Sequence, residues 1–282
     1  MVLFKRVTIV GLGLIGGPLG MAIRRRRLAG QVVGISRRAS TLSQAKRLGA
    51  IDLAARTVED AVRGADIVIL ATPVDDILPT ARRLTPFLAP GAILTDVAST
   101  KARVVSALER AVPRGVAVVG GHPLAGSEQR GIAAARADLF DGSLCVLTRT
   151  ARTDPAALRV VAALWRPLVR RVAVMSPQEH DACLAAVSHL PHLIAFALVN
   201  ATPSAMRAMA PRSFLDVTRI AKSDPALWDD IFLSNTRALP AALARFDRAW
   251  RDAKRLLRED RRAALRQWLR RAQRARQALS DE

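Results

Sequence analysis

The stretch Gly120-Gly121-His122-Pro123-Leu124-Ala125-Gly126 carries one of only four histidines in 282 residues. Glycine leaves a backbone free and proline fixes it, so the segment reads as a loop that presents the His122 imidazole. An imidazole exchanges protons near neutral pH. Well upstream, Gly11-Leu12-Gly13-Leu14-Ile15-Gly16 has the spacing of a dinucleotide phosphate loop. In such a loop Gly11 permits the tight turn and Gly13 lets the backbone approach a pyrophosphate. Gly16 lets the following helix pack closely on the strand. A nucleotide site followed by a presented histidine points to hydride transfer coupled to proton removal.

These residues need elements to hold them. Val7-Thr8-Ile9-Val10 predicts a buried strand that runs into the glycine loop, with an apolar helix after it and a second strand over residues 31–36. That is the context a GxGxxG motif requires, and the helix N-terminus adds N–H donors for phosphate. NAD sites place an acid at the end of the second strand to bind the ribose. This chain has Ser36-Arg37-Arg38 there. Guanidinium groups suit a 2′-phosphate, so NADP is expected ahead of NAD.

Further strands are predicted over 66–71, 92–96, 116–119, 144–148 and 172–175, with helices between them. The alternation predicts an α/β, doubly wound, Rossmann-type and mainly parallel sheet. Ligands bind such sheets at the carboxyl ends of the strands. Thr72-Pro73, Asp96-Val97-Ala98-Ser99 and Gly121-His122 all fall at those ends. Ser176-Pro177-Gln178-Glu179 is a capping box with proline in the first turn. Everything after it reads as helix. The expected division is therefore a dinucleotide-binding domain over 1–175 and an all-α domain over 176–282.

Early in the second part stands Ser188-His189-Leu190-Pro191-His192. Pro191 removes a helical hydrogen bond and kinks the chain, which makes His189 and His192 plausible pocket-wall residues. No third ligand has convincing metal spacing, so no metal is expected. His180, in the capping turn, reads as structural.

The net charge is +20, from 44 Lys and Arg against 24 Asp and Glu. Arginines over 245–276 fill the polar faces of helices whose apolar residues, Phe246, Trp250, Leu257, Leu265, Trp268 and Leu269, keep helical spacing. No aromatics interleave with them as stacking platforms, so no nucleic-acid partner is expected. A basic field still attracts anionic substrates and phosphorylated cofactors. The apolar run 7–23 follows Lys5 and Arg6 as an export signal would. It contains five glycines and Pro18 and is short for a membrane span. No other apolar run comes close. A cytoplasmic protein without a membrane partner is expected, with Cys145 and Cys183 as reduced core thiols.

Five segments occur in order: Gly11-Leu12-Gly13-Leu14-Ile15-Gly16-Gly17, Asp96-Val97-Ala98-Ser99-Thr100-Lys101, Gly121-His122-Pro123-Leu124-Ala125-Gly126, Ser188-His189-Leu190-Pro191-His192 and Thr218-Arg219-Ile220-Ala221. Together they resemble the prephenate/arogenate dehydrogenases of tyrosine biosynthesis over nearly the whole chain. The resemblance implies oxidative decarboxylation of prephenate or arogenate with hydride transfer to NAD(P), in a homodimer formed through the helical domain. It implies that His122 accepts the proton of the substrate's ring hydroxyl and that Ser99 stands beside it. It also implies that Arg219 binds a substrate carboxylate and that His192 lines the substrate pocket. Lys101 matches a recurrent lysine of the same site and is expected, with His189, among the substrate-binding residues. Where a glycine-rich segment is usual before Arg219, this chain has Ala210-Pro211-Arg212-Ser213-Phe214-Leu215-Asp216. The competing readings are another NADP oxidoreductase of this layout (a pyrroline-carboxylate reductase or β-hydroxyacid dehydrogenase) and a non-catalytic NADP-binding or nucleic-acid-binding protein.

Overall fold

The computed structural model describes residues 2–126 and 131–279. Its first part is one eight-stranded sheet of β1 (Phe4–Val10), β2 (Ala29–Ile35), β3 (Leu53–Ala54), β4 (Ile67–Leu70), β5 (Ile93–Asp96), β6 (Ala117–Pro123), β7 (Leu144–Thr148) and β8 (Arg171–Met175). The spatial order is β3-β2-β1-β4-β5-β6-β7-β8. All neighbours pair in parallel except β6 and β7. Helices α1 (Gly16–Arg25), α2 (Ala39–Arg47), α3 (Val58–Val62), α4 (Val74–Leu84), α5 (Ala102–Ala111) and α6 (Pro155–Trp165) connect the strands. Buried on both faces, β4 is a continuous apolar run, as a covered parallel sheet requires, and β5 is buried along its whole length although it ends in Thr95 and Asp96.

From β1 the chain winds one way through β2 and β3, then returns to place β4 on the other side. The crevice between β1 and β4 is the topological switch point. Across this edge Val10 pairs with Leu70, Leu70 with Asp96, and Asp96 with Gly120. The glycine loop and the His122 strand thus end on the same edge of the sheet, three strand spacings or about 14 Å apart.

Beyond Met175 the described residues are helical apart from short connections. Ser176 accepts from the backbone N–H of Glu179, and the Glu179 carboxylate accepts from that of Ser176, so the capping box is complete. It opens α7 (Pro177–Leu184), followed by a π-helical turn over Ala185–His189 and then α8 (Leu190–Ala201). The π turn sits where Pro191 disturbs the i to i−4 ladder; widening the turn accommodates a residue with no N–H to give. The remaining helices are α9 (Ser204–Arg207), α10 (Arg212–Thr218), α11 (Pro225–Ser234), α12 (Leu239–Arg258) and α13 (Arg262–Gln277).

Three sequence expectations need correction. His122 is not on a loop but at the carboxyl end of β6, buried at 9% exposure. Its neighbours explain the loop-like composition. A Cβ on Gly120 would come within 2.5 Å of Thr148 Oγ1 and Val105 Cγ2, and one on Gly121 within 2.9 Å of the Asp96 carbonyl. Only glycine fits this strand. Second, Cys145 is buried but Cys183 is exposed on α7. Third, the continuous 25-residue helical run Pro177–Ala201 has a mean hydropathy of 1.9, long and apolar enough by composition to cross a membrane. The run over 7–23 is therefore not alone, and it is itself the buried unit of β1 and α1.

Candidate active site

The glycine loop has the shape that a pyrophosphate needs. Gly11 has φ +94°, and a Cβ there would meet the Ala71 carbonyl oxygen at 2.6 Å. A Cβ on Gly16 would meet the Gly11 carbonyl oxygen at 1.9 Å, whereas one on Gly13 would meet nothing within 4 Å. The first and third glycines hold strand and helix together, and the second leaves open space. Thr72 Oγ1, just past β4, is buried and finds no hydrogen-bond partner among the described residues. A polar atom buried at the switch point without a partner suits a ligand. Leu12, Leu14 and Ile15 complete the loop, and Pro73 precedes α4. Past β2, Ser36 is half-buried while Arg37 and Arg38 are exposed. The Arg37 guanidinium lies 3.3 Å from the Asp76 carboxylate of α4.

At the other end of this edge, His122 Nδ1 lies 2.9 Å from His180 Nε2. His180 Nδ1 in turn lies 2.8 Å from Asp181 Oδ1. The Asp181 carboxylate also accepts from the backbone N–H groups of Lys101 (2.7 Å) and Ala102 (2.8 Å), at the start of α5. Burial, with His180, Lys101 and His189 nearby, holds the His122 pKa well below the usual imidazole range. His122 is therefore neutral at pH 7 and able to accept a proton. Burial also lowers the pKa of His180, with Asp181 opposing.

The helical part supplies a second cluster. His192 is half-buried, its Nδ1 is 2.9 Å from the Ser188 carbonyl, and its ring stacks on Trp228 at 3.5 Å between centroids and 21° between planes. Burial lowers the His192 pKa, and the Arg219 charge adds to that effect. Arg219 opens a short 3-10 helix (Arg219–Lys222) packed against α8. The two clusters meet where Thr100 and Ser234 hydroxyls come within 2.9 Å, and where Asp181 caps the start of α5. His192, Trp228 and Arg219 thus lie in the helical part that packs on the carboxyl edge of the sheet through Thr100–Ser234 and Asp181–Lys101. Among the described residues, no group of three or more His, Cys, Asp or Glu is arranged to hold a metal.

Comparison with known proteins decides what the arrangement belongs to. Residues 19–174 match the model for the nucleotide-binding domain of prephenate dehydrogenase, and residues 176–271 match that for its dimerization domain. The chain belongs to the prephenate dehydrogenase family. Among its relatives, a prephenate dehydrogenase of Bacillus subtilis is 36% identical over 248 residues, covering 86% of this chain and 66% of that protein. The chain thus spans just under two thirds of that relative's length. A cyclohexadienyl dehydrogenase of Zymomonas mobilis is 36% identical over 87% of this chain and 86% of its own. The crystal structure of an Aquifex aeolicus prephenate dehydrogenase with hydroxyphenyl propionate and NAD+ superposes with a TM-score of 0.88. It is 33% identical and covers 98% of each chain. Membership in the family favours the dehydrogenase reading over the competing ones.

Two residues with expected substrate contacts lie elsewhere. Lys101 is completely buried, its ammonium paired with the Asp96 carboxylate, so it supports the base of the site rather than touching substrate. His189 is 1% exposed, with Nδ1 3.0 Å from Asn235 Nδ2 and its ring edge-on to Trp228. It is an interior residue behind His192. His180, read as structural, instead touches His122. Asp181, Trp228 and Asn235 also belong to the site and carry no sequence signal of it. Ser99 is half-buried in the bend between β5 and α5, at the edge where His122 ends.

Proposed function

We propose that this chain is an NAD(P)-dependent dehydrogenase that oxidatively decarboxylates prephenate, arogenate or both. The observation that carries the reading is a buried, neutral His122 at the carboxyl edge of a dinucleotide fold, hydrogen-bonded through Nδ1 to a second histidine. Gly11–Gly16, with Thr72 and Pro73 beside the loop, would hold NAD(P), which when bound would supply the hydride acceptor. His122 takes the proton of the substrate's ring hydroxyl as hydride leaves the same carbon, and Ser99 assists at the carbinol. The ring carboxylate then leaves as carbon dioxide, and aromatisation makes the step irreversible. Arg219 binds a substrate carboxylate through its planar fork, and His192 on its Trp228 floor lines the ring pocket.

The same reading divides the chain at Ser176 into a cofactor half and a substrate half. It makes a homodimer of the helical half, which matches the family's dimerization domain. The apolar residues exposed on that half suit a second copy, among them Val187, Leu198, Trp250 and Leu257. The exposed Arg37 and Arg38, with no acid following β2, favour NADP. The test is an initial-rate matrix of prephenate and arogenate, each with NAD and NADP, on the full chain. Turnover of at least one cyclohexadienyl substrate is expected, with higher kcat/KM for NADP. Absence of turnover in all four combinations would refute the reading.

A further inference from the structure

We propose that His180 is a positioning residue: with Asp181 behind it, it fixes the tautomer and ring orientation of His122 so that Nε2, not Nδ1, is the proton-accepting nitrogen. The inference rests on His122 being the base and adds how that base is set.

The argument follows the donors. The backbone N–H groups of Lys101 and Ala102 can only donate, so both Asp181 oxygens act as acceptors. Their place at the amino end of the ten-residue α5 favours the anion. An acceptor at Asp181 Oδ1 requires the proton of His180 on Nδ1, 2.8 Å away. Buried and neutral, His180 then has a bare Nε2. That nitrogen lies 2.9 Å from His122 Nδ1, which must supply the hydrogen. His122 therefore carries its proton on Nδ1 and leaves Nε2 bare. Each link has one consistent assignment, and the sequence of constraints starts at a backbone that cannot change its protonation. The two rings are tilted at 60° with centroids 5.1 Å apart, so the contact is an edge-on hydrogen bond and not a stack.

Asp181 also ties the two halves together, so its removal would disturb folding; the decisive substitutions are at His180. His180→Leu fills the space but offers no acceptor. His180→Gln keeps an acceptor oxygen within reach of His122. Steady-state kinetics with prephenate, or with whichever substrate the wild type turns over, should show kcat in His180→Leu down by about 10–100-fold, the usual cost of losing an orienting partner. KM and the dissociation constant of the cofactor should be unchanged. His180→Gln should recover most of the loss. A merely space-filling His180 predicts the reverse order or equal effects, and that result overturns the proposal. Should His180→Leu not fold, nitrogen-15 NMR of the wild-type enzyme labelled at histidine decides alone. The His122 signal, identified by its disappearance in His122→Asn, should report a proton on Nδ1. A proton on Nε2 contradicts the proposal. If His122→Asn keeps wild-type turnover while the tautomer is as stated, the base reading fails and the positioning geometry does not.

Discussion

In the proposed site Arg219 and His192 supply the cationic and aromatic side, and their expected roles separate from that of His122 in kinetics. A carboxylate partner that is bound in ground state and transition state alike affects KM more than kcat. Arg219→Ala is therefore expected to raise KM for prephenate, the loss of such a contact costing about 2–5 kcal/mol. Michaelis constants for the variant and the wild type check this. An unchanged KM would place Arg219 outside the substrate site. The resemblance identified His122, Ser99, His192 and Arg219 as a set, because types and spacing survive in sequence. His180 was not legible. It sits within a helix-capping turn, and nothing in one sequence reveals that its ring meets a strand end 58 residues away. Lys101 was visible as a lysine but not as a buried ion pair, because Asp96 faces it only once β5 and α5 are folded.

Among the elements, the end of β2 is the one proposed to govern cofactor choice. Arg37→Asp would place an acceptor for ribose hydroxyls where a guanidinium now stands and would repel a 2′-phosphate. The ratio of kcat/KM for NADP over NAD should fall, partially if Arg38 keeps some phosphate contact. A ratio that stays constant would remove Arg37 from cofactor selection. Loss of its Asp76 partner is already built into the variant, since the new carboxylate faces another one. Most elements could be read from pattern. β4 is an apolar run, β1 and β5 contain shorter ones that lead into turn residues, and the capping box at Ser176 marked the change to helix. β3 escaped, because two residues, Leu53 and Ala54, carry no period. The antiparallel β7 could not be distinguished from a parallel strand, since direction depends on the crossover and not on the strand's own residues. The carboxyl end of β6 looked like a loop because close neighbours demand glycine there.

For the whole molecule, the four histidines share one sign. His122, His180 and His192 are held below the ordinary imidazole value, and burial pushes His189 down to about 4. The unfolded chain protonates its histidines at about 6.5. Between these values the unfolded state binds more protons than the folded one, so stability rises with pH. The histidine contribution is fully present above about pH 6.5 and is lost as pH falls toward about 4. The thermal midpoint should drop steadily from neutral pH down to about pH 5, above the range where carboxylates titrate. A flat midpoint over that interval would mean that these histidines are not buried neutral.

The most direct measurement is turnover of His122→Asn beside the wild type, following NAD(P)H and carbon dioxide together with prephenate as substrate. Wild type should yield the two products one for one. The variant, with cofactor affinity intact, should lose about 10²–10⁴-fold in kcat, the usual effect of removing a general base. A variant within about threefold of wild type would contradict His122 as the base.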